Sequence, residues 1–130
     1  MTFKYETTRD AAEAGDVTEL KRMIKKIDNG LITWHPETTC AAAYYGYKEC
    51  LEICVKYNCP WDPDTTYVAA SNGHKECLEY IFENCKDLVS WEDSQLEENM
   101  KRFAPHVQEY LMSVQDEWKW YSKRSEHIKG

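Results

Sequence analysis

Apolar residues recur along this chain at intervals of three and four, which is the spacing of one face of an α-helix. Three such stripes are Val17, Leu20, Ile24 and Ile27; Cys50, Leu51, Cys54 and Val55; and Cys77, Leu78, Ile81 and Phe82. The turn-forming runs 28–30 and 58–60 end the first two stripes. The pattern predicts a series of amphipathic helices and almost no β-strand.

A run of shared positions repeats in step with these stripes. The segment 34–43 reads WHPETTCAAA, and the segment 61–70, which starts 27 residues later, reads WDPDTTYVAA. A glycine and the run Lys-Glu-Cys-Leu-Glu follow in both copies, and a looser copy lies 31 residues upstream of the first. Repetition at a fixed interval is typical of stacked supersecondary units. We predict one domain, 1–130, with units at 3–33, 34–60 and 61–90 and a degenerate capping unit at 91–130.

Each unit is predicted to be a helix, a turn, a second helix and a loop. An acid followed by two threonines indicates a helix start, with side-chain oxygens available for free backbone N–H groups. The glycine after the alanine pair suits the left-handed backbone at a helix end. In the capping unit, Leu96, Met100 and Phe103 indicate a short helix, and Pro105 stands where a longer closing helix begins.

These residues resemble the ankyrin repeat. The segment 11–17, AAEAGDV, is similar to a first ankyrin unit, and the segment 72–80, NGHKECLEY, is similar to the middle signature of the family. The 27-residue spacing and the connector Cys59-Pro60-Trp61 resemble a shortened variant found in large DNA viruses and some protists. The resemblance implies an all-α solenoid of stacked helix-turn-helix pairs with a C-terminal capping helix pair. It also implies an interaction module that binds another protein, a host protein in the viral case, through its concave face.

Positions that vary within a fixed frame are where a repeat protein can place specificity. The tyrosines at 44, 45 and 47 flank Gly46, and their counterparts one unit later are Ser71, Asn72 and His74. Tyrosine favours binding because it brings contact area at low entropy cost. The candidate partner-binding residues of the concave face are Tyr44, Tyr45, Tyr47, Asp62, Asp64, Ser71, Asn72 and His74.

The sequence allows plainer interpretations of the same residues. In the simpler interpretation, the three tyrosines are an ordinary exposed cluster on a helix. We expect at least two of them to be solvent-accessible and one to lean onto the next unit. By resemblance, His74 holds a position that commonly forms a local hydrogen bond near the start of a helix. Trp34, Trp61 and Trp91 recur with the frame, so we expect them to pack between units.

A second hypothesis is a structural or assembly role, as a self-associating protein or a virion component. The apolar stripe of the closing helix runs through Val107, Leu111, Val114, Trp118 and Tyr121, and it leaves Trp120 to one side. An exposed tryptophan often marks an interface. Trp120 is therefore the candidate residue for a homo-oligomer formed through the C-terminal helix.

The composition of the chain argues against nucleic-acid binding, a membrane span and secretion. The net charge is −7, with 23 acids against 16 Lys and Arg, which argues against nucleic-acid binding. No apolar run is long enough for a membrane span, and the N-terminal residues lack the apolar core of a signal peptide. Six cysteines without such a signal are expected to be reduced thiols in the cytoplasm, the host cytoplasm in the viral case.

We expect no enzyme activity, cofactor or metal. Cys50 and Cys54 are one helical turn apart, but Cys50 recurs as Cys77 in phase with the repeat, which favours core packing over zinc binding. The five glycines are scattered singly, so no phosphate-binding loop is present. No pairing of a nucleophile with a histidine can be assigned from the sequence.

Overall fold

The computed structural model describes residues 3–89 and 96–115. Within these two ranges the chain is helical and contains no β-strand, as the apolar spacing predicts. Trp91, Trp118, Trp120 and Tyr121 lie outside the described residues, and so does the part of the predicted closing helix beyond residue 115.

Six helices form three successive pairs. The helices are α1 (Thr8–Glu13) and α2 (Val17–Asp28), α3 (Thr38–Tyr45) and α4 (Lys48–Lys56), and α5 (Thr65–Ser71) and α6 (Lys75–Asn84). We refer to these as helix pairs 1, 2 and 3. A short α7 (Leu96–Asn99) continues into a 3₁₀ turn (Met100–Arg102), and residues 105–115 are helical and are labelled α8.

The pairs lie side by side in two layers. Helix α3 packs between α1 and α5, while α4 packs between α2 and α6. The layer of first helices is the more closely packed of the two. Each first helix presents a fully buried alanine pair to its neighbours, and these alanines are Ala11, Ala12, Ala42, Ala43, Ala69 and Ala70. Side chains this small allow neighbouring backbones to approach closely, which accounts for the tight layer.

The turn inside helix pair 2 shows how the two layers are joined. Gly46 has φ +80°, a left-handed conformation that costs an L-residue free energy and costs glycine little. The Tyr47 N–H then donates to the Ala42 carbonyl at 2.9 Å, which closes the end of α3. The chain reverses within two residues, so α4 lies directly against α3.

The predicted role of the threonines as helix caps is wrong for α3 and α5. Neither helix begins with a side-chain capping bond, whereas in α1 the Thr7 hydroxyl accepts from the Asp10 N–H at 3.1 Å. The paired threonines of α3 and α5 are buried instead. Thr38 Oγ1 donates to the His35 carbonyl at 2.7 Å, and Thr39 Oγ1 donates to the Pro60 carbonyl at 3.2 Å. These hydroxyls therefore hold connectors in place.

The core lies between the two layers and is filled by the apolar stripes of the second helices. The residues that line it include Leu20, Cys50, Leu51, Cys54, Cys77, Leu78 and Ile81. Cys50 and Cys77 are fully buried, as their in-phase recurrence predicts. Trp34 and Trp61 are half-buried and pack against this core. Leu96, Phe103, Val107 and Leu111 extend it beyond helix pair 3.

Candidate functional site

An open groove of about 330 Å³ lies between α1 and α3 on the side of the first-helix layer that faces away from the core. Its lining residues are Arg9, Glu13, Glu37, Cys40, Ala41, Tyr44 and Tyr45. We call it the α1/α3 groove. It exists because the threonines and alanines of α3 turn to the core, which leaves the positions near 37, 40 and 44 in line on the outer side.

Two tyrosines form one wall of the α1/α3 groove. Tyr44 and Tyr45 are 46% and 49% exposed, and their ring centroids lie 4.9 Å apart at an interplanar angle of 65°. This is an edge-to-face arrangement, which stabilises an aromatic pair by about 0.5–1.5 kcal/mol. The rings therefore restrain each other while much of their surface stays accessible to a ligand.

Three charged residues, Arg9, Glu13 and Glu37, also line the groove. Arg9 Nε is 3.0 Å from Glu13 Oε1, and Arg9 Nη1 is 2.7 Å from Glu37 Oε2. The second of these ion pairs connects α1 to the start of α3. Both are solvent-exposed and therefore contribute little to stability, but they fix where the guanidinium lies in the groove.

Glu37 lines the groove at the start of α3, and Asp62 and Asp64 lie at the start of the neighbouring α5, outside the groove lining. We call these three carboxylates the acidic edge. Asp62 Oδ1 accepts from the Asp64 N–H at 2.8 Å, which holds the connector before α5 in a turn. No ion pair to Asp62 or Asp64 is found within the described residues. Partial burial raises the pKa of the Cys40 thiol to about 11, and the negative charges of the acidic edge add to that shift. The edge therefore acts electrostatically on the groove.

The exposed Tyr47 and the half-buried His74 both have a structural role. The Tyr47 ring lies over Gly15, where an added Cβ would be 2.7 Å from Cε1. The ring of His74 lies over Gly46, where an added Cβ would be 2.5 Å from Nδ1. In both cases a ring from one helix pair covers the glycine of the preceding pair. We call these the ring-over-glycine contacts.

Two sequence predictions are corrected by these contacts. Tyr44, Tyr45 and Tyr47 are all solvent-accessible, as expected, but Tyr47 leans onto the preceding helix pair and not the next. His74 does not bond locally: its Nε2 donates to the Tyr44 carbonyl at 2.9 Å, across to helix pair 2. The reason is the missing Cβ of glycine, which opens a path from one turn to the next.

His106 makes a similar contact that the sequence analysis missed. Its Nε2 donates to the Gly73 carbonyl at 2.9 Å, and its ring lies near the same glycine. A ring-bearing residue directly follows the glycines at 46 and 73, but no glycine precedes His106, so the sequence frame does not single it out.

The structure separates the other predicted site residues. Ser71 and Asn72 are exposed at the end of α5, where Asn72 Nδ2 donates to the Val68 carbonyl at 2.8 Å. They do not line the α1/α3 groove. Arg9, Glu13, Glu37 and Cys40 do line it, and the sequence analysis did not select them. Arg9 and Cys40 occupy the same frame position in successive units and differ, which was the available signal.

The remaining cysteines are buried, and all six are free thiols. Burial raises the pKa of Cys50, Cys77 and Cys85 to about 11, which disfavours the reactive thiolate. The thiols of Cys54 and Cys59 interact with each other, and this interaction raises the pKa of Cys54 and lowers that of Cys59. Within the described residues, no group of three or more potential metal ligands occurs.

Comparisons of the chain with protein-family models, with curated proteins and with solved structures found no match. In the part of the chain that the structure describes, no helix combines the length and the apolar character that crossing a membrane requires.

Proposed function

We propose that this chain is an ankyrin-type repeat protein that binds another protein through the outer side of its first-helix layer. The repeated frame and the side-by-side helix pairs support the repeat assignment. The observation that carries the binding role is the half-exposed Tyr44–Tyr45 pair at the wall of the α1/α3 groove.

This arrangement suits a binding surface for physical reasons. Residues whose truncation costs most in protein interfaces are enriched in Tyr, Trp and Arg, and such residues cluster in well-packed pockets. Tyr44 and Tyr45 project from a helix that is packed between α1 and α5, so the backbone beneath them is held. His74 adds a hydrogen bond to the Tyr44 carbonyl and fixes the end of that helix. A partner therefore meets aromatic rings that are already positioned, and less entropy is lost on binding.

The test compares two alanine variants in binding to a partner captured by the full chain and then purified. Tyr44→Ala/Tyr45→Ala should weaken the partner's affinity by at least about thirtyfold, because two aromatic anchors are lost. Tyr57→Ala is the control, since Tyr57 is also about 40% exposed but lies at the end of α4, outside the groove. It should bind as the unmodified chain does.

Both variants should keep the helical circular dichroism of the unmodified chain, because the substituted side chains are largely outside the core. A folded Tyr44→Ala/Tyr45→Ala variant with undiminished affinity would show that the interface lies elsewhere on the protein.

A further inference from the structure

We propose that the α1/α3 groove takes an arginine-rich, positively charged segment of the partner protein. The partner's guanidinium groups lie against the rings of Tyr44 and Tyr45, and the acidic edge neutralises their charge. This inference rests on the proposed function and adds the chemistry of the partner.

The first argument is the local charge balance. Two carboxylates, those of Glu13 and Glu37, line the groove, and Asp62 and Asp64 stand at the start of the adjacent α5. Arg9 is the one base in the lining. Arg9 is already shared between Glu13 and Glu37. The carboxylates of Asp62 and Asp64 are left without a cation among the described residues. A cationic segment is the ligand that complements this excess of negative charge.

The second argument is the position of Arg9, which shows how a guanidinium fits this groove. Its two nitrogens lie 2.7 Å and 3.0 Å from carboxylate oxygens while its side chain lines the same cavity as Tyr44 and Tyr45. Asp62 and Asp64 are the remaining carboxylates, and they lie beside the groove at the start of α5. A second guanidinium placed there would repeat an arrangement that the chain already makes within itself.

The third argument selects arginine over lysine. A guanidinium is planar, binds carboxylates through two N–H groups and stacks on aromatic faces, whereas an ammonium group does none of these as well. An arginine over a tyrosine ring gains about 0.5–1 kcal/mol at an exposed site. Tyr44 and Tyr45 stand edge to face, so their rings face different directions and offer more than one stacking surface.

The alternative explanation for binding of a cationic peptide is nonspecific attraction of any cation to a chain of net charge −7. Such attraction depends on the total charge and not on which carboxylates are present. The experiment must therefore separate the groove from the rest of the surface, and the residue pattern of the chain allows this.

The first arm determines which chemistry the groove selects. A random nonapeptide display library is selected on the full chain and counter-selected on the Tyr44→Ala/Tyr45→Ala variant, so that only tyrosine-dependent binders remain. These should be enriched in arginine over the starting library, and in lysine to a smaller extent. Tyrosine-dependent binders that are acidic or uncharged would overturn the inference and leave the proposed binding face standing. The absence of tyrosine-dependent binders would also overturn it, while the titration with the purified partner decides the proposed function separately.

The second arm locates the contact with two matched variants. Asp62→Asn/Asp64→Asn removes two charges from the acidic edge and leaves the Arg9 ion pairs intact. Glu49→Gln/Glu76→Gln removes two charges from the exposed first turns of α4 and α6, in the other layer. The affinity for a selected arginine peptide should fall by at least about tenfold in the first variant and by less than about twofold in the second. Equal losses in the two variants would mean that total charge governs binding.

Cys40 provides an independent reporter of occupancy. It is the one cysteine of the chain that is not buried, and it lines the groove. A saturating arginine peptide should slow its modification by an uncharged maleimide by at least about fivefold, because the bound segment covers the thiol. An unchanged rate at saturation would place the peptide elsewhere and contradict the inference.

Discussion

The junction between helix pairs 1 and 2 shares its sequence frame with the junction between helix pairs 2 and 3, but the two differ in their hydrogen bonds. At the 1–2 junction the Thr8 and Thr38 hydroxyls lie 2.6 Å apart, and the His35 N–H donates to Thr8 Oγ1 at 2.9 Å. At the 2–3 junction the corresponding Thr65 hydroxyl is buried without a hydrogen-bond partner among the described residues.

At the glycine ends, the ring forms a hydrogen bond at the 2–3 junction and, among the described residues, none at the 1–2 junction. His74 covers Gly46 and donates a hydrogen bond to the Tyr44 carbonyl. Tyr47 covers Gly15 by its ring, and its hydroxyl makes no hydrogen bond within the described residues. The repeated frame therefore fixes how the backbones of neighbouring helix pairs pack. The residues at each junction determine which polar groups form hydrogen bonds there. Because a buried unpaired hydroxyl costs free energy and a paired one does not, the two junctions should respond differently to the same substitution.

The largest expected effect comes from adding one methyl group under a ring. Gly46→Ala should destabilise the fold by about 3 kcal/mol or more, because it combines a positive φ with a clash against the tethered His74 ring. Gly15→Ala should cost less, about 2 kcal/mol, because the Tyr47 ring is held by no hydrogen bond at that junction and can swing outward. Urea unfolding midpoints measure both.

Gly30→Ala is the control for backbone strain alone. Gly30 has φ +75°, and nothing lies within 4 Å of an added Cβ. Its cost should be near 1 kcal/mol. If all three variants lost equal stability, the ring-over-glycine contacts would have no energetic role.

An intermediate effect is expected from the frame threonines. Thr38→Val should destabilise the fold by about 1–3 kcal/mol, because it removes the buried hydroxyl that pairs with Thr8 Oγ1 and donates to the His35 carbonyl. Thr65→Val should be neutral or stabilising, because it removes a buried hydroxyl that has no partner in the described residues. Valine is β-branched like threonine, so the helix propensity changes little. Equal losses in thermal or urea unfolding would show that the two hydroxyls are in equivalent environments.

The smallest expected effects come from two substitutions to phenylalanine, which separate the hydrogen bonding of a ring from its packing. His74→Phe keeps a ring over Gly46 but loses the bond to the Tyr44 carbonyl, so we expect a loss of about 1 kcal/mol. Tyr47→Phe removes a hydroxyl that the 1–2 junction does not use, and the change should stay within about 0.5 kcal/mol. A larger loss for Tyr47→Phe than for His74→Phe in urea unfolding would reverse the comparison.

Much of the local architecture could be predicted from the sequence because it depends on periodicity. The stripes at spacings of three and four placed α2, α4 and α6, and the shared glycine placed the turn after α3. The burial of Cys50 and Cys77 followed from their recurrence in phase. The expectation that at least two of the three tyrosines are exposed followed from their variation within a fixed frame, and all three are exposed. Each of these inferences concerns a residue and its near neighbours in the chain.

Two other properties were decided by contacts between helix pairs. The buried threonines look like helix caps in the sequence, but neighbouring connectors offer them carbonyl partners, and so they turn to the core. The α1/α3 groove needs Arg9 and Glu13 from one helix and Glu37 and Tyr44 from another, and no local pattern brings these together.

The sequence by itself thus determined the helical class, where α2 and α4 end and which faces are apolar, because these follow from steric preferences and from an apolar period within a few turns. Only the tertiary structure decided which hydroxyls are paired, which ring covers which glycine and which charges share the groove. Hydrogen bonds, ring contacts and ion pairs act over a few ångströms, so they depend on how residues about 30 positions apart are brought together in space.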